Sequence, residues 1–138
     1  MKVKEIMSGD VSFCAEDTAL DQVAMQMWER NCGSIPVLDN ENRPIGIITD
    51  RDICCKVTAT GRDAGFTKVH EIMSTDVITC YADQEIEEAA EIMMNSHVRR
   101  LAVIDHDYKI NGFLSVDDLA RASHQLASSV LESSTVYH

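Results

Sequence analysis

The chain has 138 residues, with 12 lysines and arginines against 23 aspartates and glutamates, and the resulting formal charge of −11 argues against nucleic acid as a principal partner. At 45% apolar and 25% charged it has the composition of an ordinary soluble domain, and no apolar run is long enough to cross a bilayer. Five cysteines, an odd number, and a charged opening, Met1-Lys2-Val3-Lys4-Glu5-Ile6, without the apolar run of a secretion signal predict reduced thiols and a cytoplasmic protein.

The first predicted element is a short strand over residues 11–14. Asp17-Thr18 then sits where a helix would start, and Leu20, Val23, Ala24 and Met27 follow at the i, i+3, i+4, i+7 spacing of one buried helical face, which Gly33 would end. Ile35-Pro36-Val37-Leu38 predicts an apolar strand. A polar turn at 39–43 leads into a second strand that ends in Gly46-Ile47-Ile48-Thr49-Asp50-Arg51-Asp52-Ile53. Residues 58–65, polar and glycine-rich, read as a linker.

The same order of elements then repeats at a constant offset of 66 residues. Val3-Lys4-Glu5-Ile6-Met7-Ser8 becomes Val69-His70-Glu71-Ile72-Met73-Ser74, and the offset pairs Cys14 with Cys80, Met27 with Met93, Gly46 with Gly112 and Asp52 with Asp118. The second strand-helix-strand-strand-helix set runs from a strand at 77–80 through Asp83-Gln84 and the stripe Ile86, Ala89, Ala90, Met93. It continues through Leu101-Ala102-Val103-Ile104 and a turn at 105–109 to Gly112-Phe113-Leu114-Ser115-Val116-Asp117-Asp118-Leu119. This second helix ends at Asn95-Ser96-His97 with Val98 just past it, so its cap is expected to differ chemically from that of the first. Residues 128–135 lose periodicity and are expected to fray. The predicted fold class is α/β (α+β), with a first unit over 1–61 and a second over 62–138 that carries a C-terminal helical tail. A three-stranded sheet covered on one face is marginal alone, so the two units are expected to bury their open sheet faces against each other.

Thr49 and Ser115 are natural N-caps, and Asp52 and Asp118 fall at the third helical position behind them. Such a helix start offers a hydroxyl, a carboxylate and unpaired backbone N–H groups, where a phosphate is welcome and the carboxylate can accept both hydroxyls of a ribose. The same Thr/Ser-x-x-Asp spacing is also a near relative of the capping box, which serves only the helix itself. Arg51, Arg99 and Arg100 are the candidate local cations against the acidic background. Cys14, Cys80, His70, His97 and His106 invite a metal reading, but no paired ligand spacing supports one, and the adjacent Cys54 and Cys55 are expected to point in different directions. Met25, Met27, Trp28, Met93 and Met94 suit core and interface packing. No nucleophile, base and orienting group can be assembled, which reads as a non-enzyme.

These motifs, together with Gly33-Ser34-Ile35-Pro36-Val37-Leu38-Asp39 and Val98-Arg99-Arg100-Leu101-Ala102-Val103-Ile104-Asp105, resemble a pair of CBS motifs, the regulatory unit also called a Bateman module. The resemblance implies two units related by a pseudo-twofold axis, a flat homodimer, and clefts that hold an adenosine nucleotide such as AMP, ADP or ATP, or a related compound such as S-adenosylmethionine. Carried over by position, Asp52 and Asp118 look like ribose carboxylates, Thr49 and Ser115 like hydroxyls near the phosphate, and Arg100 like a phosphate-facing arginine. Phe13, Cys14, Thr79, Cys80, Ser34, Ile35, Arg99 and Arg100 resemble the walls around the adenine. Two departures stand out: Ala102 replaces the proline found at Pro36, which would loosen that strand entry, and Phe13 stands where the second copy has Thr79. The implied function is an adenosine-nucleotide sensor that signals to an effector protein. The alternatives are a ligand-free dimerisation module and a metal- or redox-responsive protein.

Overall fold

The computed structural model describes residues 1–135. The chain forms two compact units, one of Ser12–Val77 and one of Met1–Val11 together with the chain from Ile78 onward. The first contains β1 (Cys14–Ala15), α1 (Leu20–Arg30), β2 (Ser34–Leu38), β3 (Pro44–Thr49) and α2 (Asp50–Ile53), which runs on into a π-helical turn at Cys54–Thr58. The second contains β4 (Thr79–Tyr81), α3 (Ile86–Ser96), β5 (Arg100–Ile104), β6 (Ile110–Ser115), α4 (Val116–Ala122) and α5 (His124–Thr135). Each unit has one three-stranded sheet, ordered β1-β2-β3 or β4-β5-β6, whose first two strands are parallel and last two antiparallel.

The apolar stripes bury as their spacing requires. Leu20, Val23 and Met27 of α1 pack on Ile35, Val37 and Ile48, while Ile86, Ala89, Ala90 and Met93 of α3 pack on Leu101, Val103 and Leu114. Both helices start later than the sequence suggests, because the polar residues ahead of them close turns instead of capping. Thr18 Oγ1 accepts from Ala15 N at 3.2 Å, and Gln84 Oε1 accepts from Tyr81 N at 2.8 Å. Gly33 is not the terminator of α1. The left-handed residues that end α1 and α3 are Asn31 (φ 51°) and His97 (φ 55°), the same position in both copies, so the two caps are conformationally equal. The hairpin loops are also equal: Asp39 Oδ1 accepts from the Glu41 and Arg43 amides and Asp105 Oδ1 from those of Asp107 and Lys109, with Asn42 and Tyr108 both at φ 63°.

Spatial units and sequence copies are offset, because the segment that opens each copy packs in the unit built on the other copy's sheet. Ser8 and Phe113 exchange two backbone hydrogen bonds of 2.9 Å, and Ser74 and Ile47 do the same. Val3 lies in the core with Leu114 and Leu119, and Val69 and Ile72 lie in the core with Ile35 and Ile48. The crossing segments also serve the helix starts, since Leu20 N donates to Thr67 O and Ile86 N to Met1 O, each at 3.0 Å.

Two expectations are corrected here. Residues 128–135 do not fray: they belong to α5, which packs on α3 and α4 and buries Ala127 and Val130. Residues 58–65 are a folded part of the first unit. Thr60 Oγ1 donates to Lys56 O at 2.8 Å, Asp63 caps a 3-10 turn at Ala64–Phe66, and that turn packs against α1.

Gly46 and Gly112 are required where the segments cross. A Cβ on Gly112 would lie 2.5 Å from the Ser8 carbonyl oxygen, and one on Gly46 would lie 2.5 Å from Met73 Sδ and 3.0 Å from Ser74 O. Gly112→Ala and Gly46→Ala should each cost about 1–3 kcal/mol in urea unfolding. Met73→Ala should recover part of the Gly46→Ala loss by removing the sulfur, whereas Met7→Ala should not rescue Gly112→Ala, where backbone is the obstacle.

Candidate functional site

At the strand-to-helix junction of the first unit, Ser34 lies across from Thr49 and Ile35 across from Ile48. Thr49 Oγ1 accepts from Asp52 N at 3.1 Å, and Asp52 Oδ2 accepts from Thr49 N at 3.0 Å, a reciprocal capping box. The other carboxylate oxygen, Oδ1, is 3.2 Å from Lys56 Nζ, one helical turn on. The second unit repeats this. Ser115 Oγ accepts from Asp118 N at 3.2 Å, Asp118 Oδ2 accepts from Ser115 N at 2.9 Å, and Asp118 Oδ1 pairs with Arg121. The carboxylates differ in exposure: the Asp118 side chain is 5% exposed and the Asp52 side chain 16%.

Arg100 opens β5 directly across from Ser115, in the place that Ser34 takes beside Thr49. It is exposed and makes no ion pair among the described residues. The backbone at the preceding position is the same in both copies, with Asp50 N donating to Gly33 O at 3.0 Å and Val116 N to Arg99 O at 2.9 Å. The side chains there are not. Gly33 lies so close to the Asp50 carboxylate that a Cβ would fall 2.9 Å from Oδ2, while the second copy has Arg99 and Val116.

The residues read as adenine walls divide by exposure. Phe13 is 55% exposed and its carbonyl accepts from Gln26 Nε2 at 3.1 Å, and Thr79 is half-buried at the start of β4. The side chains of Ile35, Cys14 and Cys80 belong to the cores, so only their backbone faces the strand ends. Burial pushes the Cys14 thiol up to about 11 and the Cys80 thiol up to about 12. Ala102 does not loosen its strand, because its amide donates to Ile78 O at 3.2 Å, a bond Pro36 cannot make.

Two open depressions lie in the first unit, one of about 420 Å³ lined by Asp50, Arg51, Cys54 and Cys55, the other of about 390 Å³ lined by Met27, Trp28, Asn31, Cys32, Gly33 and Asp50. Cys54 and Cys55 both line the first depression. Asp50, common to both depressions, was missed as a site residue; its signal was a charge at the first helical position facing a glycine. Met27 and Met93 are core, Met94 packs partly against it, and Met25 and Trp28 are exposed. Among the described residues no three of His, Cys, Asp or Glu converge as metal ligands. His106 stacks on Tyr81 with centroids 4.5 Å apart and meets Asp83 Oδ2 at 3.1 Å, which holds the Asp83 carboxyl below its ordinary range.

Fold and site together define a pair of α/β repeats, each with a hydroxyl and a carboxylate locked at a strand-to-helix junction. The model of the CBS domain matches residues 3–57 and 69–125, and the chain belongs to that family, as a regulatory CBS pair. It is 34% identical to the CBS domain-containing protein YhcV of Bacillus subtilis over 94% of this chain and 91% of that one. The crystal structure of Hypoxic Response Protein I with two coordinated zinc ions superposes at a TM-score of 0.80, with 28% identity over 89% of this chain and 99% of that one. The CBS domain pair of protein MJ0100, in complex with 5′-methylthioadenosine and S-adenosyl-L-methionine, superposes at 0.77 with 23% identity, covering 88% and 98%. No helix of the described residues is long and apolar enough to cross a membrane.

The two buried thiols predict an alkaline limit to stability. Their folded pKa values lie above the unfolded one, so their stabilising effect is complete below about pH 9 and is lost as pH rises toward 11 to 12. Urea midpoints should fall across that window, and less so in Cys14→Ala/Cys80→Ala compared with its own value at pH 8. Alkylation of the native protein at pH 8 should mark Cys54 and Cys55 and spare Cys14 and Cys80.

Proposed function

We propose that the chain binds an adenosine nucleotide of the AMP, ADP or ATP type at the Thr49/Asp52 and Ser115/Asp118 junctions, and that it passes occupancy to an effector protein without catalysing a reaction itself. The observation that carries this reading is the division of labour within each carboxylate. One oxygen is spent on the helix cap, while the second is held by a single cation that ribose hydroxyls can replace or share. The adenosine ligands of the MJ0100 pair support the class of ligand. The site residues proposed are those at the open strand ends: Thr49, Asp52, Arg51, Ser34, Ile35, Phe13 and Cys14 in the first unit, and Ser115, Asp118, Arg99, Arg100, Thr79 and Cys80 in the second.

The second junction is proposed as the tighter one, because Arg100 stands beside Ser115 where the first unit has uncharged Ser34. A charge-assisted hydrogen bond to phosphate contributes about 1.5–3 kcal/mol, or roughly one to two decades of affinity. In calorimetry with AMP, ADP and ATP, Arg100→Ala and Asp118→Ala should each weaken the tightest event at least tenfold, by about 1.4 kcal/mol or more. Asp52→Ala should act mainly on a weaker event. Silence in both calorimetry and thermal shift at millimolar nucleotide would leave the ligand-free dimerisation module as the function.

We also propose that the chain is a homodimer, supported by Trp28 and Met25, which α1 leaves 81% and 55% exposed. Light scattering at tens of micromolar should give twice the chain mass, and Trp28→Glu should shift it toward one chain; a wild-type monomer mass with and without nucleotide would refute the dimer.

A further inference from the structure

The five cysteines fall into two sets. Cys14 and Cys80 recur at the repeat offset and are buried, whereas Cys32, Cys54 and Cys55 have Val98, Ala120 and Arg121 as counterparts and occur in the first copy alone. Cys54 and Cys55 are exposed and open together onto the depression of about 420 Å³. They also stand at the start of the π-helical turn Cys54–Thr58, whereas α4 in the second copy continues as an α-helix past the equivalent position. A π turn is a costly local conformation that is often kept at functional positions.

Arg51 lines the same depression, three and four residues ahead of the two thiols and hence on their side of the helix. It is exposed and forms no ion pair among the described residues, while the nearby Lys56 is engaged by Asp52. The one carboxylate on the rim, Asp50, is drawn toward its own helix start and Gly33: Oδ1 accepts from Arg51 N at 2.8 Å, and Oδ2 faces the Gly33 Cα. On a chain of charge −11, the depression therefore joins two accessible thiols to an uncommitted guanidinium.

We propose that Cys54 and Cys55 form a thiol-modification site that takes an anionic low-molecular-weight disulfide into mixed-disulfide linkage, with Arg51 receiving its carboxylate. One cysteine loses its proton to solvent, and its thiolate attacks one sulfur of the disulfide. A new protein–ligand S–S bond forms as the old S–S bond breaks, and the other half leaves as a thiolate, so protein sulfur is oxidised and the departing sulfur reduced. The mixed disulfide is the end product and not a step toward a Cys54–Cys55 ring. Adjacent α-carbons lie about 3.8 Å apart across a trans peptide, short of the roughly 4.4–6.8 Å that a disulfide spans, so ring closure would require the helix to unwind.

The test uses the reduced 138-residue chain with two probes, oxidised glutathione, which is anionic, and 2-hydroxyethyl disulfide, which is neutral. Peptide mapping should place the glutathione adduct on Cys54 or Cys55, and Cys54→Ala/Cys55→Ala should abolish it. Arg51→Gln, shown to be folded by circular dichroism, should slow the anionic probe by about threefold or more while leaving the neutral probe unchanged. Preferential labelling of Cys32, an equal effect of Arg51→Gln on both probes, or no effect on either would overturn the proposal.

Discussion

Each sheet depends on a backbone crossing that no side chain can enter. At Gly46 and Gly112 the last strand is approached so closely that any Cβ would meet the crossing segment, and the next residue in each case exchanges paired hydrogen bonds with it, Ile47 with Ser74 and Phe113 with Ser8. The same segments send Val3 and Val69 into the cores and provide the carbonyls that receive the first amides of α3 and α1. One short stretch therefore closes a sheet edge, fills a core and satisfies a helix start. It arrives from the far copy of the repeat, so neither unit is complete within one copy of the sequence. Folding of the second unit is thereby bound to a contact distant in the chain, Ser8 with Phe113, whereas the first unit, Ser12–Val77, closes its crossing within one contiguous stretch.

The repeat, the apolar stripes and the hairpins were legible because each leaves a periodic or local mark: Leu20, Val23 and Met27 report one helical face, and Asp39 and Asp105 report a loop closed by a side-chain acceptor. What escaped was decided by partners far away or by geometry that residue type only weakly encodes. The helix starts at Leu20 and Ile86 are set by the carbonyls of Thr67 and Met1, which no local window contains. Asn31 and His97 end their helices in the left-handed region, which glycine would have advertised and these residues do not. Residues 128–135 show little stripe of their own because most of the face that seats α5, Leu126 and Ala127 ahead of Val130, precedes them. The offset between copy and unit was invisible because the offset of 66 describes ancestry in sequence and not adjacency in space.

The capping box, which the sequence presents as a competitor to the proposed ligand site, occupies only one oxygen of each carboxylate. Oδ2 of Asp52 and of Asp118 serves the cap, and Oδ1 meets a cation three or four residues on. The cap fixes the rotamer, so a carboxylate tied down for stability is also preorganised for recognition. Burial separates the two copies, since Asp118 lies in a drier setting than Asp52, where any exchange of partners is energetically larger. Arg100 in place of Ser34 adds to the same difference in sign and position.

One group of replacements between the copies lines the two depressions of the first unit. Gly33 and Asp50 replace Arg99 and Val116, Trp28 replaces Met94, and Cys32, Cys54 and Cys55 replace Val98, Ala120 and Arg121. Gly33 and Asp50 are coupled directly. The Asp50 carboxylate occupies the space that a side chain at position 33 would need, and its turn toward Gly33 leaves Arg51 beside the thiols. In the second copy the residue opposite Cys55 is Arg121, the partner of Asp118, so the helix position that neutralises a carboxylate in one copy presents a thiol in the other. With no cation at that position, Asp52 relies on Lys56, one residue further on, and the side of the helix it vacates is the side that opens onto the depression.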